Sequence, residues 1–322
     1  MVKNKLSLIL RVAISFGLLL LLIWIMRKDA GEVIGILKSS NRFFIALSLA
    51  INIPISIGMA YRLKMLLSGK KISLSIKDAV YLTFIGYFYN NFLPTAIGGD
   101  IAKAHYASKR TNNTAASYAA VFMDRISGLA ATLIIALIGL VFIGRGMDNK
   151  FIVWSVPCLC FLAILMIILL FKKNNKTGDN FSEKKGLFNA IKTKASKLYA
   201  AVNLYRNNPV LLIKAVMVSL ALQSLAIFTV YLFILSTGGD ILLLRLFFIV
   251  PLVWTISMLP SLNGLGVREG AFVYFLKSYI GAEKALAISV LCLGLIMLYS
   301  VIGGVFQLVY PVKIKTEEKD GL

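Results

Sequence analysis

Leu259-Pro260-Ser261-Leu262-Asn263-Gly264-Leu265-Gly266-Val267-Arg268-Glu269-Gly270 interrupts a long apolar run, with Ile241–Met258 before it and Ala271–Leu276 after it. Proline removes a backbone donor and breaks a helix, and glycine admits conformations closed to other residues. The stretch therefore reads as a break between two half-helices. A weaker copy lies upstream, Leu93-Pro94-Thr95-Ala96-Ile97-Gly98-Gly99-Asp100. Both copies read Leu-Pro, three residues, Gly, with an acid nearby. Pro94 and Pro260 are 166 residues apart, as are Gly98 and Gly264.

Composition sets the solvent for these breaks. The chain has 322 residues, 59% of them apolar. Several apolar runs approach the roughly 20 residues that span a bilayer. This predicts an all-α, polytopic membrane protein, a single integral membrane domain over residues 1–322. The net charge is +21. Apolar runs of this length exclude a soluble nucleic-acid binder, and the charge is assigned to cytoplasmic loops facing anionic lipid. Cys158, Cys160 and Cys292 all fall in apolar spans and His105 is the single histidine. No metal site, cofactor or catalytic residue is expected.

Taken in order, Leu6–Met26 is an uncleaved first span, followed by a short external connector, Gly31–Arg42. Phe43–Ala60 is the second span, with Asn52 and Pro54 inside it. Arg62, Lys64, Lys70, Lys71 and Lys77 then mark a cytoplasmic loop. Ala79–Leu93 is short for a crossing. Charge returns soon after the first break, at Asp100, Lys103, His105, Lys109 and Arg110. A re-entrant hairpin is expected here. Ala119–Ile143 and Phe151–Phe171 are the next spans. The loop 172–208 holds nine basic residues against Asp179 and Glu183. Within it Phe188, Ile191, Ala195, Leu198, Val202 and Tyr205 recur at helical spacing, a candidate helix that rests on the inner leaflet or packs on the bundle as a linker. Pro209–Leu235 crosses outward, Ile241–Tyr279 is the second broken hairpin and Ala285–Tyr310 crosses back. The expectation is about six full spans and two hairpins, in an inverted repeat of about 43–143 and 209–310.

Paired, Gly/Pro-interrupted segments at matching positions point to a midplane binding site. A break leaves unpaired N–H groups and the positive end of a half-helix dipole, which favour an anion. The candidate substrate-binding residues are Asn91, Pro94, Gly98, Gly99, Asp100, Lys103, Asp124, Arg125, Pro260, Asn263, Gly264, Gly266, Arg268 and Glu269. Asp100 stands where an N-cap would sit, and Arg268 and Glu269 open the second half-helix. Each charge at mid-membrane costs roughly 2.5–3.5 kcal/mol on insertion scales, so each needs a partner or a wet cavity. Two readings stay open: Asp100–Arg125 and Arg268–Glu269 as buried pairs that fix the fold, or as headgroup contacts.

The segments Asn91-Phe92-Leu93-Pro94 with Gly98-Gly99-Asp100, Asp124-Arg125 with Gly128-Leu129, and Asn263-Gly264-Leu265-Gly266-Val267-Arg268-Glu269 resemble the lysylphosphatidylglycerol synthase transmembrane-region family, also called flippase-like. The resemblance covers about residues 5–312. In the full-length synthase-flippases of that family, this region moves aminoacylated phosphatidylglycerol between leaflets, and a separate soluble domain transfers the amino acid from tRNA. The sequence ends at Leu322, soon after the last span, and no such domain is expected. Stand-alone members are associated with polyprenyl-linked glycan or glycolipid pathways. The resemblance implies a carrier of an anionic phospholipid or polyprenyl-phosphate-linked intermediate. The alternatives are a phosphatidylglycerol lysyltransferase-type enzyme and an accessory subunit of a separate synthase or glycosyltransferase. No ATP-binding G-x-x-x-x-G-K-[ST] occurs.

The lysine and arginine bias places both termini and residues 172–208 in the cytoplasm, in the cell membrane, with Gly238–Asp240 outside. Cysteines introduced at Lys185 and Gly239 are expected to react with an impermeant thiol reagent from opposite sides. Labelling from one side only would contradict this topology.

Overall fold

The structure is a computed structural model of the chain and describes residues 30–70, 72–92, 98–143, 157, 203–258 and 264–309. The expected spans Leu6–Met26 and, apart from Pro157, Phe151–Phe171, and the amphipathic stretch up to Val202, lie outside these residues. Among the described residues all regular structure is helical. A short helix α1 (Ala30–Ser39) is followed by α2 (Arg42–Ser68), α3 (Ile76–Phe92), α4 (Gly98–Thr111), α5 (Thr114–Ile143), α6 (Pro209–Ser236), α7 (Leu243–Ile256), α8 (Val267–Ile280) and α9 (Ala282–Val309). Four of these, α2, α5, α6 and α9, are long and apolar enough to cross a membrane. At 1.5 Å per residue they measure about 40–45 Å, against a hydrocarbon core of about 30 Å. The order long, short, short, long occurs twice.

Local sequence explains the boundaries. Asn41 caps α2 by accepting the Phe43 N–H at 2.9 Å. Asn208 caps α6 by accepting from Leu211 at 3.2 Å, and Pro209 takes the first helical position. The helix α3 ends at Phe92, ahead of the Leu-Pro of the first break, and α8 begins at Val267, after the second. Just before α8, Gly264 and Gly266 have φ of +77° and +80°, which a side chain would strain.

The first helix of each unit packs against its counterpart, and the two run antiparallel. At one end Asn41 N–H donates to the Ser236 carbonyl at 2.8 Å. At the other, Gly69 lies against Leu211, and the Tyr205 hydroxyl donates to the Leu66 carbonyl at 2.8 Å. Burial, and then the Asp124 carboxylate, push the Tyr205 phenol above its ordinary pKa, so it stays a neutral donor. Further packing is exchanged between units. The helix α3 packs on α9, and its counterpart α7 packs on α5. Both contacts are made through a glycine. A Cβ on Gly303 would stand 2.0 Å from the Phe84 carbonyl oxygen, and one on Gly139 would stand 2.7 Å from the Phe248 nitrogen. Gly139 and Gly303 are 164 residues apart, as are Phe84 and Phe248. Between membrane helices, where lipid is as apolar as leucine, such close backbone approach is the main source of association.

Two apolar cores result. One surrounds Leu63, Leu66, Ala104, Ala120 and Met123, where α2, α3, α4 and α5 meet. The other surrounds Ile234, Leu246, Val250, Phe272 and Ile288, where α6, α7, α8 and α9 meet. One departure from the sequence reading is large. The second span does not stop at Ala60; α2 continues to Ser68, so Arg62 and Lys64 belong to a helix and not to a loop. Arg62 is buried, because a carboxylate on α5 meets it inside the protein.

Gly303→Val and Gly139→Val are each expected to lower the thermal stability of the detergent-solubilised protein, by about 1–3 kcal/mol, the usual cost of overpacking. Gly294→Val, where an added Cβ would meet nothing within 4 Å, is the control. Equal melting temperatures for all three would contradict the packing.

Candidate functional site

Between the two cores lies a cavity of about 450 Å³. Its wall includes Ile55 on α2, Gly128 on α5, Leu222 on α6 and Ile296 on α9, each close to the midpoint of its long helix. The short helices end there as well. Asn90 near the end of α3 and Asp100 near the start of α4 line it from one unit, and Trp254 in the last turn of α7 and Met258 just beyond that helix line it from the other.

Charge is gathered in one part of this wall. Arg62 donates from Nε to Asp124 Oδ1 at 2.6 Å and from Nη1 to Ser219 Oγ at 2.6 Å. Lys103 donates from Nζ to the other oxygen of Asp124 at 2.9 Å. All three charged side chains are almost fully buried, at 6–7% exposure. Two cations share one carboxylate, so the buried cluster carries one positive charge in excess. Arg125 donates to Asp100 at 2.7 Å in a more open pair, at 33% and 22% exposure. The guanidinium and ammonium have five and three donors respectively, and the bonds named use only some of them.

Elsewhere the wall is mostly apolar, with Ile55, Leu129, Leu222, Leu295 and Ile296, and carries a few uncharged polar groups. Asn52 donates to the Ser48 carbonyl at 2.8 Å and to Thr229 Oγ1 at 3.0 Å. Gln223 donates to Thr132 Oγ1 at 3.0 Å. Tyr87 and Tyr299 stack with ring centroids 5.2 Å apart. These residues all border the cavity except Ser48 and Thr229.

The structure brings together four of the candidates read from the sequence: Asp100, Lys103, Asp124 and Arg125. Gly98 and Gly99 are buried beside them at the start of α4. Gly99 donates to Asn90 Oδ1 at 2.9 Å, and a Cβ on it would stand 2.1 Å from the Gly86 carbonyl oxygen. Asp100 is thus not the N-cap; it lies inside the first turn of α4, and the amide of Asn90 satisfies the helix end. Asn91 donates to the Ile296 carbonyl at 3.4 Å. Pro94, Pro260 and Asn263 lie outside the described residues.

At the second break, Gly264, Gly266, Arg268 and Glu269 do not border the cavity. Glu269 accepts from Gly266 N–H and from Arg268 Nη2, both at 2.6 Å. The positive end of α8 is therefore met by the protein's own carboxylate, the position the sequence reading left to a ligand. Arg268 is held in the same buried pair, with its Nε unpartnered.

Sequence reasoning passed over Arg62, Asn52 and Gln223. The signal for Arg62 was present: with Asn52, Ile55 and Met59 it forms one stripe at helical spacing, and all four border the cavity. Its position after an apolar run made it read as a loop residue. Gln223 is a single amide in an apolar helix, and nothing local distinguishes it. Among the described residues no group of three or more His, Cys, Asp or Glu side chains gathers in one place.

A family model described as the lysylphosphatidylglycerol synthase TM region matches residues 8–303. No curated protein matches the chain.

Asp124→Asn would leave Arg62 and Lys103 facing each other without a counter-charge. It is expected to destabilise by about 3–5 kcal/mol, the cost of an uncompensated buried charge. Asp100→Asn, in the open pair, is expected to cost less. Melting temperatures in detergent measure both, and equal values would contradict this account of the cluster.

Proposed function

The chain belongs to the lysylphosphatidylglycerol synthase TM-region family, and from that premise we propose that it is a flippase-like membrane protein that moves an anionic lipid headgroup through this cavity. The ligand is an anionic phospholipid or a lipid-linked phosphate, in the cell membrane, with both termini of the chain cytoplasmic. A separate synthase or glycosyltransferase would supply or consume it.

The observation that carries this reading is the excess positive charge of Arg62, Lys103 and Asp124, buried in the wall of a cavity at the middle of four long helices. A buried cation without its own counter-ion is costly. A phosphate offsets that cost, and guanidinium donors fit phosphate geometry. Zwitterionic headgroups bring no net charge to do so.

In this proposal α3–α4 and α7–α8 are re-entrant hairpins of an inverted repeat. The antiparallel pairing of α2 with α6 supports the inversion. The end of α3 supports the re-entry, since Asn91 reaches Ile296, midway along α9. Irregular backbone at membrane depth is tolerated where it lines a cavity. Rocking one unit against the other around a fixed midplane site is the motion such repeats allow.

Reconstituted in liposomes, the protein is expected to move fluorescent phosphatidylglycerol faster than phosphatidylcholine. Arg62→Met and Lys103→Met each leave Asp124 one partner, so both should fold. Each should slow phosphatidylglycerol at least about tenfold, the equivalent of one lost charge-assisted contact of about 1.4 kcal/mol. Equal rates for the two lipids, or wild-type rates in both variants, would overturn the proposal.

A further inference from the structure

The two units share a scaffold but not a chemistry. Ser219 stands 167 residues after Asn52, and Thr229 stands 167 after Arg62. The contacts Arg62–Ser219 and Asn52–Thr229 are therefore equivalents of each other, exchanged between α2 and α6. One is charged and the other is neutral. They are separated by ten residues of α2, or about 15 Å of helix.

The cavity inherits this difference as two ends. At the Arg62 end stand Lys103 and the buried excess charge. Eight residues further along α5 from Asp124 is Thr132, bonded to Gln223, a separation of about 12 Å. Along α6, Gln223 stands between Ser219 and Thr229, with its side chain bonded to Thr132. Away from the charge, Asn52 and Gln223 each spend their amino group on the bonds named, and each keeps its carbonyl oxygen. Trp254 adds an aromatic face and an indole donor to the same wall. Acceptors beside an aromatic surface suit the hydroxyls and the C–H faces of a polyol. The carboxylates in the wall, Asp100 and Asp124, already face cations. A cationic aminoacyl headgroup would find no free acid there.

We infer that the cavity holds a lipid headgroup in one orientation, its phosphate at Arg62 and Lys103 and a neutral hydroxyl-bearing group, a polyol or sugar, at Asn52, Thr132, Gln223 and Trp254. This rests on the anion-moving function proposed above and names the substrate class for it.

Two tail-labelled probes of equal charge separate the ideas: phosphatidylinositol, whose phosphate carries a ring of hydroxyls, and phosphatidylmethanol, whose phosphate carries none. In liposomes containing the full chain, phosphatidylinositol is expected to move at least about tenfold faster, since a site built to bond hydroxyls discriminates against an analogue lacking them. Gln223→Leu is expected to bring the ratio of the two rates close to one. Trp254→Leu, which leaves the Gln223–Thr132 bond in place, should lower the same ratio and serves if Gln223→Leu fails to fold. Equal rates in the wild type, or an unchanged ratio in the folded variants, would overturn the inference and leave anion movement standing. Movement of neither probe would overturn both.

Discussion

Asp124 receives Arg62 from α2 at 2.6 Å and Lys103 from α4 at 2.9 Å, and much of the architecture follows from satisfying that one carboxylate. Ions removed from water carry a desolvation penalty of several kcal/mol each, which only short, well-aimed contacts offset. Those contacts require three helices to hold their side chains at one depth. The helix α2 must continue past its apolar stretch to carry Arg62 inward. The chain must also break before Gly98, so that α4 folds back along α5 and sets Lys103 against it. Arg62 reaches further, to Ser219 on α6, so the cluster joins both units. The cavity is what remains where these groups meet and the short helices stop.

Packing around that cluster is repeated, while its chemistry is not. Phe84 meets Gly303 as Phe248 meets Gly139, and α2 pairs with α6 end to end. Glycine at those crossings lets backbone touch backbone, which supplies van der Waals contact that lipid cannot replace. The polar contacts break the likeness. Arg62 and Thr229 hold equivalent places, as do Asn52 and Ser219. Of these two equivalent contacts, only one carries charge. The breaks differ in the same way. An amide, Asn90, satisfies the start of α4. The start of α8 is capped by Glu269, whose negative charge also holds Arg268.

The sequence by itself determined the class of the protein and the placing of its helices. Apolar run lengths fixed the long helices Arg42–Ser68, Thr114–Ile143, Pro209–Ser236 and Ala282–Val309 to within a few residues at most ends, because a bilayer sets a minimum length. The two Leu-Pro…Gly breaks located the ends of the short helices, because backbone chemistry at proline and glycine is local. Charge alone marked Asp100, Lys103, Asp124 and Arg125 for a site, since an ion in an apolar chain needs a partner. Only the tertiary structure decided who the partners are. Arg62 and Asp124 are 62 residues apart and Arg62 and Ser219 are 157 apart, distances over which spacing carries no information. It also decided that the Arg268–Glu269 pair closes on itself beside α8 while Arg62, read from sequence as a loop residue, faces the cavity. A side chain's role at mid-membrane depends on which other helix stands opposite it, and that is settled by packing between elements.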